Sequence, residues 1–63
     1  AVNRYRARSA SEKQGDRYPF WYVEDTWHGI NATVALMPEM RGFLPFLPKP
    51  DAVALAEKAN ATP

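Results

Sequence analysis

His28 is the one side chain in this sequence whose ordinary pKa lies near neutrality. Glu24 stands four residues before it, so on a helix the two would share a face. Such an imidazole could serve as an axial ligand to a partner's metal or pigment magnesium, or carry a proton. A zinc site needs three or four protein ligands, and the chain has no cysteine and no second histidine. A surface or interface histidine held by a hydrogen bond accounts for His28 more simply, and no cofactor is expected of the chain by itself. The adjacent carboxylates Glu24 and Asp25 suggest acid–base work. Paired catalytic carboxyls must face each other across a substrate at roughly 5–9.5 Å, whereas neighbours on a helix diverge. They read instead as the first turn of a helix, where negative charge is favoured.

Other residues suit binding rather than catalysis. Arg4, Arg6 and Arg8 alternate, so an extended backbone points all three the same way. That row could pair with phosphates, lipid headgroups or a partner's carboxylates; its simplest reading is a solvated tail. Trp21, Tyr22 and Trp27 could stack on bases beside the arginines, but such residues more often anchor protein interfaces. Pro45-Phe46-Leu47-Pro48 with Lys49 matches a proline-rich ligand, although large aromatics fill its interior. Asn31-Ala32-Thr33 and Asn60-Ala61-Thr62 match the glycosylation sequon, and chance accounts for both. The three glycines are scattered and make no phosphate loop. Nothing assembles a nucleophile with a base.

These residues must be positioned by short elements. Residues 1–17 hold Val2 and Tyr5 as their only large apolar side chains and read as a basic, extended arm. The segment 18–63 reads as a partner-docking region. In it Pro19 keeps Tyr18 extended, ahead of the aromatic run Phe20-Trp21-Tyr22-Val23, which is a short strand or an extended lead-in. Val23, Trp27, Ile30, Val34 and Met37 fall at helical spacing, which predicts a helix over about 24–36, ended by Pro38. Gly29 and the β-branched Ile30, Thr33 and Val34 oppose it. Residues 38–50 hold four of the six prolines and a repeat, Phe43-Leu44-Pro45 followed by Phe46-Leu47-Pro48. A period of three is one turn of polyproline II, so this stretch reads as a stiff apolar strip. Asp51 after Pro50 starts a second short helix over about 51–59.

Composition sets the bounds. Sixty-three residues make at most one small domain, which buries only about 60% of its unfolded surface. Hydrophobic residues are 46% and aromatics 13% of the chain, too rich for ordinary disorder. Net charge is +1 overall but unevenly spread, with residues 1–18 at +3 and residues 19–63 at −2. No stretch reaches the ~18 apolar residues that span a bilayer. Ala1 fits removal of an initiator Met, cleavage of a targeting peptide or excision from a longer chain, so the compartment stays open.

The expected fold is therefore mostly irregular and extended, with two short α-helices (about 24–36 and 51–59) and no compact independent core. The expected function is that of a non-catalytic accessory subunit. It would dock in extended form on a larger multisubunit assembly, such as an organellar or bacterial energy-converting complex, beside a membrane but not across it. No homo-oligomer is expected. Phe20, Trp21, Trp27, Phe43 and Phe46 are the expected anchors, and Arg4, Arg6 and Arg8 the electrostatic arm. The alternatives are a small ribonucleoprotein or ribosomal component using the arm on phosphates, and an independent secreted mini-domain.

Overall fold

The computed structural model describes residues 3–10 and 20–62. The arginine row is not a free arm. Tyr5–Ser9 is strand β1, paired antiparallel with strand β2, Trp21–Asp25. Tyr5 lies opposite Asp25, Ala7 opposite Val23 and Ser9 opposite Trp21. Strand β3, Ile30–Asn31, pairs with the other edge of β2, giving the order β1-β2-β3. Thr26 N donates to Arg4 O and Ala10 N donates to Phe20 O. Antiparallel pairs alternate, so Arg6–Glu24 and Arg8–Tyr22 are the hydrogen-bonded pairs between these two points. Trp21, Val23 and Asp25 therefore turn their backbone groups toward the β3 side. There, Trp21 exchanges both backbone hydrogen bonds with Leu47, Ala32 N donates to Val23 O, and Gly29 N donates to Asp25 O. Thr33 Oγ1 fills the last place, accepting from Val23 N at 3.0 Å.

Strand periodicity of two sends Tyr5, Ala7, Trp21, Val23 and Asp25 to one face. Helix α2, Lys49–Ala61, packs across that face. Pro48 caps it and Pro50 sits in its first turn, where a missing N–H costs nothing. The core is Val23, Leu47, Ala52 and Ala56, flanked by Tyr5, Ala7, Trp21, Leu36, Met37, Met40 and Leu55. Ala52 and Ala56, one turn apart and both buried, let the helix backbone approach the sheet. A short helix α1, Thr33–Leu36, and a 3-10 turn, Pro38–Met40, link β3 to the proline-rich strip.

The expectation of a mostly irregular chain without a compact core is thus overturned. The radius of gyration is 11.0 Å, against roughly 10.6 Å for a compact chain of this length. The helix expected over 24–36 is also corrected. Its first residues belong to β2, residues 26–29 form a hairpin turn, and only Thr33–Leu36 is helical. Gly29 takes φ +67° in that turn, a conformation that side chains with a Cβ disfavour. The helix expected over 51–59 is longer at both ends. The part of the arm at 11–17 lies outside the described residues.

Val23 is fully buried at the middle of this arrangement. Val23→Ala is expected to destabilise the fold by about 2 kcal/mol, lowering the midpoint by roughly 10 °C in a domain this small. The isolated wild-type chain should melt cooperatively at micromolar concentration. Both are read by circular dichroism; a featureless, non-cooperative melt would count against the core described.

Candidate functional site

Asp25 ends β2 with its side chain almost fully buried, and four donors converge on it. Arg4 Nε donates to Oδ1 at 3.0 Å and Arg4 Nη2 to Oδ2 at 2.7 Å, a bidentate fork across the first two strands. Trp27 N donates to Oδ1 at 3.0 Å, which turns the chain out of β2. His28 Nδ1 lies 2.8 Å from Oδ2. The fork from Arg4 is the chief reason that the Asp25 carboxyl is held well below the usual carboxylate range; burial opposes it, and the bonds from His28 and Trp27 reinforce it. The same pair raises the Arg4 guanidinium above its ordinary value. The Arg4 guanidinium carbon also lies 4.8 Å from the Trp27 ring centre and 5.1 Å from that of Tyr5, within cation–π range.

Chemically, this cluster resembles the orienting half of an acid–base pair. Asp25 meets the imidazole at Nδ1, 2.8 Å away, and 60% of the His28 side chain is exposed. The ring's recorded side-chain partners are Asp25 and, at 3.3 Å from Nδ1, Arg4 Nη2, and neither is a nucleophile. Among the described residues no group of three or more His, Asp and Glu side chains is placed to hold a metal ion. The arrangement holds a turn in place. Asp25 and Glu24, read from sequence as a helix start, instead point to opposite faces of a strand.

On that opposite face, Glu24 accepts from Arg6 Nε at 2.7 Å and from Arg8 Nη1 at 3.0 Å. The bond from Arg6 is the main cause of a lowered Glu24 pKa, with burial opposing. The three arginines therefore part: Arg4 is consumed at Asp25, while Arg6 and Arg8 share the outer face.

The expected anchors part as well. Trp21 packs against the core, with Lys49 Nζ 5.1 Å from its ring centre and its indole N–H buried without an acceptor. Phe46 meets Tyr22 edge to face at 6.3 Å, and Phe20 is half-buried. Trp27 and Phe43 remain outward, at 64% and 73% exposed, with Ile30 at 56% and Leu44 at 75%. The two Phe-Leu-Pro units thus have different fates: Leu47 of the second enters the core, while Phe43 and Leu44 of the first stay in solvent. Asn31 Nδ2 donates to Pro45 O at 3.0 Å, which ties this strip beside β3. Trp27 also walls a groove of about 590 Å³ with Tyr5, Leu36, Met37, Leu55 and Lys58.

Asn60, noticed in the sequence only as a sequon, has a structural use. Its amide accepts from Tyr5 N and donates to Tyr5 O, both at 2.8 Å, mimicking a neighbouring strand on the outer edge of β1. No local signal marks this, because its partner is 55 residues away. Thr33 is hidden for the same reason.

No protein-family model matches this chain, and neither the curated proteins nor the solved structures include one similar enough to count as a match. Among the described residues, no helix is long and apolar enough to cross a membrane.

The depressed Asp25 pKa gives the stability a pH dependence of known sign. Folding favours the ionised form, so the contribution is whole above the unfolded value of about 3.9 and is lost as pH falls through and below it. Thermal midpoints from pH 7 to pH 2 should fall steeply at the acid end for the wild type. Asp25→Asn should start lower at pH 7 and flatten the acid limb, with Glu24 supplying the remainder; an unchanged acid limb would remove Asp25 from this role. Thr33→Val should cost about 1–3 kcal/mol by leaving the Val23 N–H buried and unpaired, measured by urea denaturation.

Proposed function

We infer that this chain is a small, non-catalytic docking subunit that binds a larger partner protein as a folded domain. The observation that carries the reading is the set Trp27, Ile30, Phe43 and Leu44, each more than half exposed in a protein whose core holds few large side chains. Single exposed apolar residues are ordinary. Here, however, Phe43 and Leu44 are consecutive, and Asn31 ties their strip to the strand that carries Ile30. Trp27 adds an aromatic wall to a groove floored by Leu36, Met37 and Leu55, of a size that ligand or side-chain docking uses. Aromatic anchors set in such surroundings carry most of the energy of protein interfaces. The anchors supported by this arrangement are therefore Trp27 and Phe43, together with Ile30 and Leu44, which the sequence did not single out. Trp21, Phe20 and Phe46 serve chiefly the domain's own packing.

The test uses the native chain and a Phe43→Ser/Leu44→Ser double variant, both expressed in the source cells with an affinity tag. The wild type is expected to co-elute with one partner complex at fixed stoichiometry on size-exclusion chromatography. The double variant, whose substitutions lie outside the core, should keep its own melting midpoint within a few degrees and lose the complex by at least tenfold. Elution of both forms as free monomer, or as a homodimer closed over the strip, would contradict the reading.

A further inference from the structure

We propose that the outer face of the sheet is a binding surface for single-stranded nucleic acid. This goes beyond the docking role, because it uses different residues on the opposite side of the sheet from α2. Side chains at even-numbered positions emerge here: Arg6 and Arg8 from β1, Tyr22 and Glu24 from β2. Among the described residues, the helix that buries the sheet packs on the other face, and on this one Arg6 and Arg8 are more than half exposed while Phe46 rests against Tyr22. Antiparallel sheets commonly keep one face solvated.

Three observations select the ligand. The first is a preorganised pair of cations. Arg6 and Arg8 are 59% and 51% exposed, while the Glu24 carboxylate between them is 12% exposed. Glu24 takes one N–H from each guanidinium, and both arginine side chains remain more than half exposed. A carboxylate beneath two guanidiniums leaves the face with a net positive charge and fixes the direction of its donors. The second is spacing. The Cα atoms of alternate strand residues stand roughly 6.6 Å apart and both guanidiniums reach Glu24, so the pair presents two cations side by side to a polyanion passing over the sheet. The third is the aromatic pair. Tyr22 is the direct cross-strand neighbour of Arg8, and its ring meets Phe46 edge to face at 6.3 Å and 74°. An edge-to-face pair leaves a ring face on which a base can stack, and stacking beside a positive track is how sequence-tolerant single-strand binders work. An acidic peptide would satisfy the arginines but would have no use for the rings. Arg4, part of the same row in the sequence, is excluded because its guanidinium is already spent on Asp25 and the Trp27 and Tyr5 rings.

The test is fluorescence anisotropy of a labelled oligouridine titrated with the full chain at low salt, with a labelled oligoglutamate of equal charge as the comparison. Oligouridine is expected to bind at least tenfold more tightly than oligoglutamate. Its log affinity should fall with log salt at a slope of about −1.4, the value for two phosphates at roughly 0.7 each. Arg6→Gln/Arg8→Gln should weaken binding at least tenfold and remove most of that slope. Tyr22→Leu should weaken it severalfold and leave the slope unchanged. Since these changes also touch the fold, backbone amide shifts of the wild type are followed during the same titration. Shifts centred on Arg6, Arg8, Tyr22 and Phe46 are expected. The proposal is overturned by the absence of binding at low salt, by oligoglutamate binding as tightly, or by shifts centred elsewhere.

Discussion

The Asp25 carboxylate is the interaction on which the rest of the structure depends. It sits where β2 gives way to the hairpin, and it must be ionised, buried and fully bonded at once. Four donors meet that demand: two from Arg4, one from the Trp27 backbone and one from His28. Each also fixes something else. The Arg4 fork joins the start of β1 to the end of β2; the Trp27 amide sets the turn; the turn allows β3 to pair with β2. A buried carboxylate is a poor source of net stability, because desolvation offsets much of the attraction. It is an effective source of register, since shifting β1 by one residue would carry the Arg4 guanidinium away from Asp25 and leave the charge uncompensated.

The two faces of the sheet follow from that register. One face receives α2 through Ala52 and Ala56, residues small enough to bring the helix close. The other carries Arg6 and Arg8, both more than half exposed, over the largely covered Glu24 and the half-buried Tyr22. The edges are completed unusually. Beyond its short pairing with β3, β2 uses the Leu47 backbone and the Thr33 hydroxyl. The outer edge of β1 takes the Asn60 amide at Tyr5. Completing edges with side chains and single residues, rather than with further strands, is how so short a chain closes a sheet. It also explains the split of the Phe-Leu-Pro repeat: pairing with Trp21 draws Leu47 inward, while Phe43 and Leu44 stay about three-quarters exposed.

What the sequence made legible was local. The C-terminal helix announces itself through Pro50, Asp51 and its alanines. The apolar strip is visible in its prolines, and of the three alternating arginines Arg6 and Arg8 share one side of an extended backbone while Arg4 turns to Asp25. What stayed hidden was long-range. Val23, Trp27, Ile30, Val34 and Met37 fall at helical spacing, yet Val23 is a strand core residue and Trp27 a turn residue. The period was an accident of a strand, a four-residue turn and a short helix read in series. Gly29 and the β-branched residues that opposed a helix carried the better signal, because a left-handed glycine between Asp25 and Ile30 is what a hairpin requires. The pairing of β1 with β2 cannot be seen locally, since neither segment alternates cleanly between large apolar and polar residues. The expectation of no compact independent core failed for the same reason: a sheet face plus a helix covers more than a helix alone. It overlooked what alanines and a single valine can do when tightly apposed. Trp27, Ile30, Phe43 and Leu44 remain more than half exposed among the described residues, and they carry the proposed function.

The central claim is that the isolated chain builds its own core around the first two strands and leaves the Phe43–Leu44 strip outside it. Amide hydrogen exchange of the free wild-type protein, followed residue by residue, tests this most directly. The Arg6, Arg8, Tyr22, Val23, Glu24 and Ala32 amides should exchange together, at the slow rate set by global unfolding, while Leu44 exchanges at close to the rate of an unstructured peptide. Uniformly rapid exchange through both strands would show that the core does not exist without a partner, and the account would fail.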